Sequence, residues 1–124
     1  MQKAEGRKNI RERSFEFACR VVRLHRVAAR NATSRPILLQ LLRAGTGIGS
    51  NLEEAEAGQS KADFISKTRI ALKEARETHY WLRLIAATQL VKPARIAALT
   101  EEANELVSIL TTIVRNASRT SARR

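Results

Sequence analysis

Residues 61–90 read KADFISKTRIALKEARETHYWLRLIAATQL. Ile65, Thr68, Leu72, Ala75, His79, Leu82 and Ala86, with Phe64 beside the first of them, recur at alternating spacings of three and four. That period predicts one buried face of an α-helix. At 1.5 Å per residue the run from Lys61 to Leu90 would extend about 45 Å. Tyr80, Trp81 and Leu84 fall off this face and suggest a second apolar surface on the same helix.

The same periodicity recurs on both sides. Ser60-Lys61-Ala62-Asp63 resembles an N-terminal cap, with Asp63 where Glu or Gln is usual. Gly58 is suited to the left-handed position that ends a preceding helix. That helix carries Leu38, Leu41, Gly45, Ile48, Leu52 and Ala55 on one seam, with Ser34 as its expected N-cap and Pro36 in its first turn. Gly45, Gly47 and Gly49 lie inside it, each costing about 1 kcal/mol relative to Ala. Close approach of a neighbouring helix is the expected compensation. Ile10, Ser14, Phe17, Val21, Leu24 and Ala28 mark a first helix, and Ile96, Leu99, Ala103, Leu106, Leu110, Ile113 and Ala117 a last one beyond Pro93. Four periodic segments joined by short breaks predict an all-α, antiparallel up-down-up-down four-helix bundle. Its expected limits are 13–117, between a flexible basic N-terminus (1–12) and a flexible basic tail (118–124).

The 124 residues suffice for one domain with a real core. Aromatic residues are 4% of the chain, so Leu, Ile, Val and Ala must fill that core. Lys and Arg number 23 against 12 acids, a formal +11, and residues 1–35 alone contribute +7. A field of that sign attracts phosphate polymers, anionic surfaces or acidic proteins. Cys19 is the single cysteine, which excludes an internal disulfide and suits a reducing compartment. No apolar run approaches the length of a membrane span, so the expected location is the cytoplasm, without membrane association.

Ordered blocks stand at Gln40-Leu41-Leu42-Arg43-Ala44 and at Ile48 with Asn51-Leu52-Glu53-Glu54-Ala55. They continue through Ser60, Asp63-Phe64, Ile70-Ala71-Leu72-Lys73-Glu74-Ala75 and Glu77 before Tyr80-Trp81-Leu82. On these residues the stretch from Leu41 to Ile85 resembles the four-helix bundle proteins associated with intervening sequences of bacterial 23S ribosomal RNA genes. The resemblance implies a left-handed bundle that assembles into a ring, commonly a homopentamer, with no established enzymatic activity. The chain is also similar to accessory proteins of diversity-generating retroelements, which implies a reverse transcriptase and nucleic acid as partners. Ala55 and Lys73-Glu74 stand where many members carry Gly and Gly-Ser, which suggests a subgroup.

Candidate sites follow from residue type. Di-iron bundles place Glu-x-x-His on two helices, but Val22 precedes His25 and Arg76 precedes His79 at that spacing, so no metal or cofactor is expected. Gly45-Thr46-Gly47-Ile48-Gly49 lacks the strand and the Gly-Lys-Ser/Thr of a phosphate loop and reads as helix packing. Cys19 reads as a small core or seam residue without an activating neighbour. Asn51 and Glu54 share a face, where a polar site competes with a structural hydrogen-bonding pair whose partners would come from Lys73, Glu77 or another subunit. Tyr80, Trp81 and Phe64 read as packing before base stacking. Gly45, Gly49, Asn51, Glu54, Ser60, Asp63, Phe64, Glu77 and Trp81 are therefore the expected structural and assembly residues. Arg13, Arg20, Arg23, Arg26 and Arg30 form a basic stripe and are the candidates for phosphate contact. With no reading motif beside them, binding to RNA or DNA should be directed at the backbone and sensitive to salt. A protein–protein adaptor without nucleic-acid binding is the alternative.

Overall fold

The computed structural model describes residues 8–122, which form helices α1 (Ile10–Ala28), α2 (Ser34–Glu56), α3 (Lys61–Thr88) and α4 (Pro93–Ala122). Local chemistry sets most of the boundaries. Asn9 Oδ1 accepts from the Glu12 N–H at 2.8 Å, and the Asn9 N–H donates to Glu12 Oε1 at 3.2 Å. This reciprocal cap starts α1 ahead of the expected limit at residue 13. At the other end α4 continues past 117. Residues 10–12 and 118–122 are thus helical, while 1–7 and 123–124 lie outside the described residues.

Two expected caps are corrected. Ser34 is a buried residue of α2 and not its N-cap. Asn31 supplies the cap-like contact, its Oδ1 accepting from the N–H groups of Thr33 at 3.0 Å and Ser34 at 2.8 Å. Gly58 does not adopt positive φ. A Cβ there would lie 3.1 Å from Asp63 Cβ and 3.2 Å from the Ala55 carbonyl, so the tight turn needs glycine for space. Ser60 caps α3 as expected, accepting from the Asp63 N–H at 3.1 Å. The left-handed residue is Gln89, at φ 57°, where the Leu90 N–H reaches the Ile85 carbonyl and the Gln89 N–H that of Ala86. That pair of bonds closes α3 in a Schellman motif, with a side chain where glycine would sit at lower cost.

Contacts down the chain show antiparallel neighbours. Gly45 faces Val21 and Gly49 faces Ser14, which opposes α2 to α1. Arg43 reaches Glu74 and Glu77, and Lys67 reaches Glu54, which opposes α3 to α2. Arg69 reaches Ser118, which opposes α4 to α3. Contact between α1 and α4 closes the bundle and is the sparsest of the four. The core runs from Phe17, Val21 and Leu24 through Leu38, Leu41, Ile48 and Leu52 to Leu82, Ile85, Ile96, Leu106 and Leu110.

The α3 register differs from the periodic reading. Ala71, Thr78 and Ile85 are buried with Thr68, Leu72, Ala75 and Leu82, whereas His79 and Ala86 are half-buried. Thr68 and Thr78 enter the core because each hydroxyl donates within its own helix, to the Phe64 carbonyl at 2.6 Å and the Glu74 carbonyl at 2.7 Å. Ser14 has no such relief: its fully buried Oγ lacks a hydrogen-bond partner among the described residues. An unsatisfied buried hydroxyl costs about 1–3 kcal/mol. Ser14→Ala should therefore raise the unfolding free energy by about 1 kcal/mol, read as a higher urea midpoint at unchanged slope. A lower midpoint would show that the hydroxyl is satisfied in solution.

Candidate nucleic-acid interface

The five arginines of the expected stripe do not act alike. Arg13 leaves it for the α1–α4 seam. Its Nε donates to Glu102 Oε2 at 3.0 Å, and one terminal nitrogen donates to Glu102 Oε1 at 2.7 Å and Glu105 Oε1 at 2.6 Å. These charge-assisted bonds, first that to Glu102 and then that to Glu105, push the Arg13 pKa further up. Arg13 is therefore a clamp between helices that otherwise touch little. Among the described residues, Arg20, Arg23, Arg26 and Arg30 form no ion pair.

The outward line of α1 is apolar as well as basic. Phe15, Ala18, Cys19 and Val22 line a shallow depression with Arg23 and Arg26, and Phe15 is 66% exposed. Cys19, expected as a small core or seam residue, is half-buried and lines this depression.

The expected assembly residues do not form one site. Gly45 lies against Val21, where a Cβ would come within 3.0 Å of Cγ2, and Gly49 lies at ordinary contact distance from the Ser14 backbone. Asn51 and Glu54 do not pair with each other. Asn51 Nδ2 donates to the Gly47 carbonyl at 2.8 Å, and Glu54 meets Lys67 at 2.9 Å. On the outer α2–α3 seam, Arg43 binds Glu74 and Glu77, and Trp81 Nε1 donates to Glu77 Oε2 at 3.1 Å. Tyr80 meets Trp81 edge-on at 5.2 Å and is itself exposed. Phe64 is half-buried, and Ser60 and Asp63 make only the α3 cap.

The antiparallel topology creates a charge pattern that no single helix displays. Residues 17–48 and 78–100 make up the half of the bundle that ends in the α1–α2 and α3–α4 loops, and they contain nine Lys/Arg and no Asp/Glu. Of these, Arg43 is compensated by Glu74 and Glu77. The other described residues contain ten basic and eleven acidic side chains. The net charge of the described bundle thus resides at one end. Loss of hydration, followed by repulsion from Arg83, lowers the His79 pKa from its ordinary value.

At the tip of this half, Arg30, Asn31, Gln89, Lys92 and Arg95 line a recess of about 520 Å³ with Val27, Ala28, Leu90 and Val91. The arginines missed in the stripe, Arg35, Arg83 and Arg95, belong to this half and were legible as stretches without acids. Among the described residues, no three His, Cys, Asp or Glu side chains are grouped to hold a metal ion, and no helix is long and apolar enough to cross a membrane.

An antiparallel four-helix bundle with one cationic end defines the class. The chain belongs to the 23S rRNA-intervening sequence protein family, whose pattern it matches over residues 7–112. Its fold is similar to a crystal structure of a protein of unknown function from the S23 ribosomal protein family of Bacteroides thetaiotaomicron. The two share 39% identity at a TM-score of 0.80, over 86% of this chain and 98% of that one. No functionally curated protein matches the chain.

Proposed function

We propose that the protein is a non-enzymatic, cytoplasmic scaffold that binds nucleic acid through the acid-free half of its bundle. The observation that carries this reading is the confinement of nine cationic residues, without a carboxylate, to residues 17–48 and 78–100. Phosphate neutralisation by such a surface releases counterions, so affinity should fall steeply with salt and discriminate weakly between sequences. Titration of the purified protein against labelled RNA and DNA at two salt concentrations tests it. Binding at low salt that collapses as salt rises is expected, and absence of binding at low salt would overturn the proposal.

Assembly into a ring, a pentamer by the family resemblance, would multiply this surface. The outward apolar line of Phe15, Ala18, Cys19 and Val22 supports self-association, since a solvated α1 face gains nothing from an exposed Phe. Sedimentation showing a monomer at micromolar concentration would remove the ring. The same line favours a second reading, a protein–protein adaptor, for which a reverse transcriptase is the partner the resemblance supplies. Stoichiometric recovery of one protein free of nucleic acid would select it.

A further inference from the structure

We infer that the recess between the α1–α2 and α3–α4 loops is a phosphate-binding site, and that it takes a phosphate of a nucleic-acid strand. The inference rests on the nucleic-acid reading and narrows it from a charged half to one pocket. Arg30, Lys92 and Arg95 line the recess, and the half of the bundle around it carries no carboxylate to compete for them.

Arg30 is already oriented. Its Nε donates to the Val27 carbonyl at 2.6 Å, which ties the guanidinium to the C-terminal turn of α1. Among the described residues no acceptor meets its two terminal nitrogens, so they remain available as a fork for two oxygens of one anion. Lys92 and Arg95 flank the start of α4, whose helix dipole adds a field favourable to an anion at the recess. Asn31 and Gln89 add side chains that can hydrogen-bond. A single carboxylate would leave most of this charge uncompensated, whereas a strand brings successive phosphodiesters, each with one charge and two free oxygens, past all three cations. The volume lies within the range of small-ligand pockets, roughly 300–1,000 Å³, and a concave wall suits a strand better than a flat anionic membrane.

The test compares the full chain with two triple variants, Arg30→Gln/Lys92→Gln/Arg95→Gln and a charge-matched control from the other half, Lys61→Gln/Arg76→Gln/Arg115→Gln. Circular dichroism confirms that both fold. With a short labelled RNA strand, the recess variant should bind about tenfold more weakly than the control, and its salt slope should fall by about 2 while the control slope changes little. Equal loss in both variants overturns the site and leaves general cationic binding standing. Comparing 5′-phosphorylated with 5′-hydroxyl strands assigns the ligand: a preference for the former indicates a chain-end phosphate, and equality an internal phosphodiester. Backbone amide NMR with inorganic pyrophosphate reads the site independently of RNA. Shifts confined to 27–31 and 89–95 support it, and shifts spread over all the arginines overturn it. A wild-type protein that shows the confined shifts but binds no RNA would sink the nucleic-acid reading while retaining the anion site. Binding to phosphatidylserine vesicles that is lost in the recess variant, with RNA ignored, would overturn the strand as ligand.

Discussion

Urea unfolding of Phe17→Ala is expected to show a loss of about 3–5 kcal/mol, with the midpoint falling far below that of the parent. Phe17 is 1% exposed and is the only aromatic ring in the buried core among the described residues. The adjoining layers are built from Val21, Leu41, Ile48 and other aliphatic side chains that cannot expand to fill a benzyl-sized void. A domain of this kind has about 5–15 kcal/mol in total, so the variant would stand close to unfolding at ambient temperature. Phe15→Ala is the control two residues away. Phe15 is 66% exposed, so this change should move the stability of the folded monomer by no more than about 0.5 kcal/mol. A loss from Phe15→Ala matching that from Phe17→Ala would mean that both α1 faces are buried in solution and that dissociation accompanies unfolding. A Phe17→Ala loss below about 1 kcal/mol would contradict the packing around α1.

The contrast between these two phenylalanines was legible before any coordinates, because Phe17 falls on the three-four seam and Phe15 does not. The α1 and α2 seams were readable for the same reason: Val21 and Leu24, or Leu41, Ile48 and Leu52, repeat on a single face. The α3 register was less legible. Thr68, Ala75 and Leu82 belong equally to the series completed by Ala71, Thr78 and Ile85 and to the one completed by Leu72, His79 and Ala86. The structure buries Thr78, whose hydroxyl is satisfied within the helix, and leaves His79 half-buried. The fate of Arg13 was not legible, since its carboxylate partners lie 89 and 92 positions away. The cationic end is an intermediate case. Two long stretches without Asp or Glu are visible in the chain, but only antiparallel pairing brings them together, and dividing the charge into consecutive blocks assigned it to α1 and the tails. Family resemblance fixed the architecture further and left the site open, because its residues Arg43, Glu77 and Trp81 serve the α2–α3 seam.

The glycines of α2 carry the other large effect. Gly45→Val should cost about 3 kcal/mol, at the upper end for overpacking a buried site. A bare Cβ at Gly45 would stand 3.0 Å from Val21 Cγ2 and 3.2 Å from Cγ1, before the two further methyl groups are placed. Val21 is fully buried and β-branched, with few rotamers to retreat into. The strain must therefore be taken up where α1 and α2 cross at Val21 and Gly45. Gly49 is the opposite case on the same helix. A Cβ there would meet the Ser14 carbonyl oxygen at 3.5 Å, an ordinary contact, so Gly49→Ala should realise most of the propensity gain of about 1 kcal/mol. Truncating the obstacle should restore part of the loss: Gly45→Val with Val21→Ala should be more stable than the sum of the single changes by about 1–2 kcal/mol. Urea midpoints of the four proteins in that cycle, with Gly49→Ala beside them, decide the matter. Strict additivity of the two changes would show that α1 moves away as a body and that the contact is not what makes glycine necessary. A Gly49→Ala loss as large as that of Gly45→Val would place the close approach along all of α2 instead of at one crossing point.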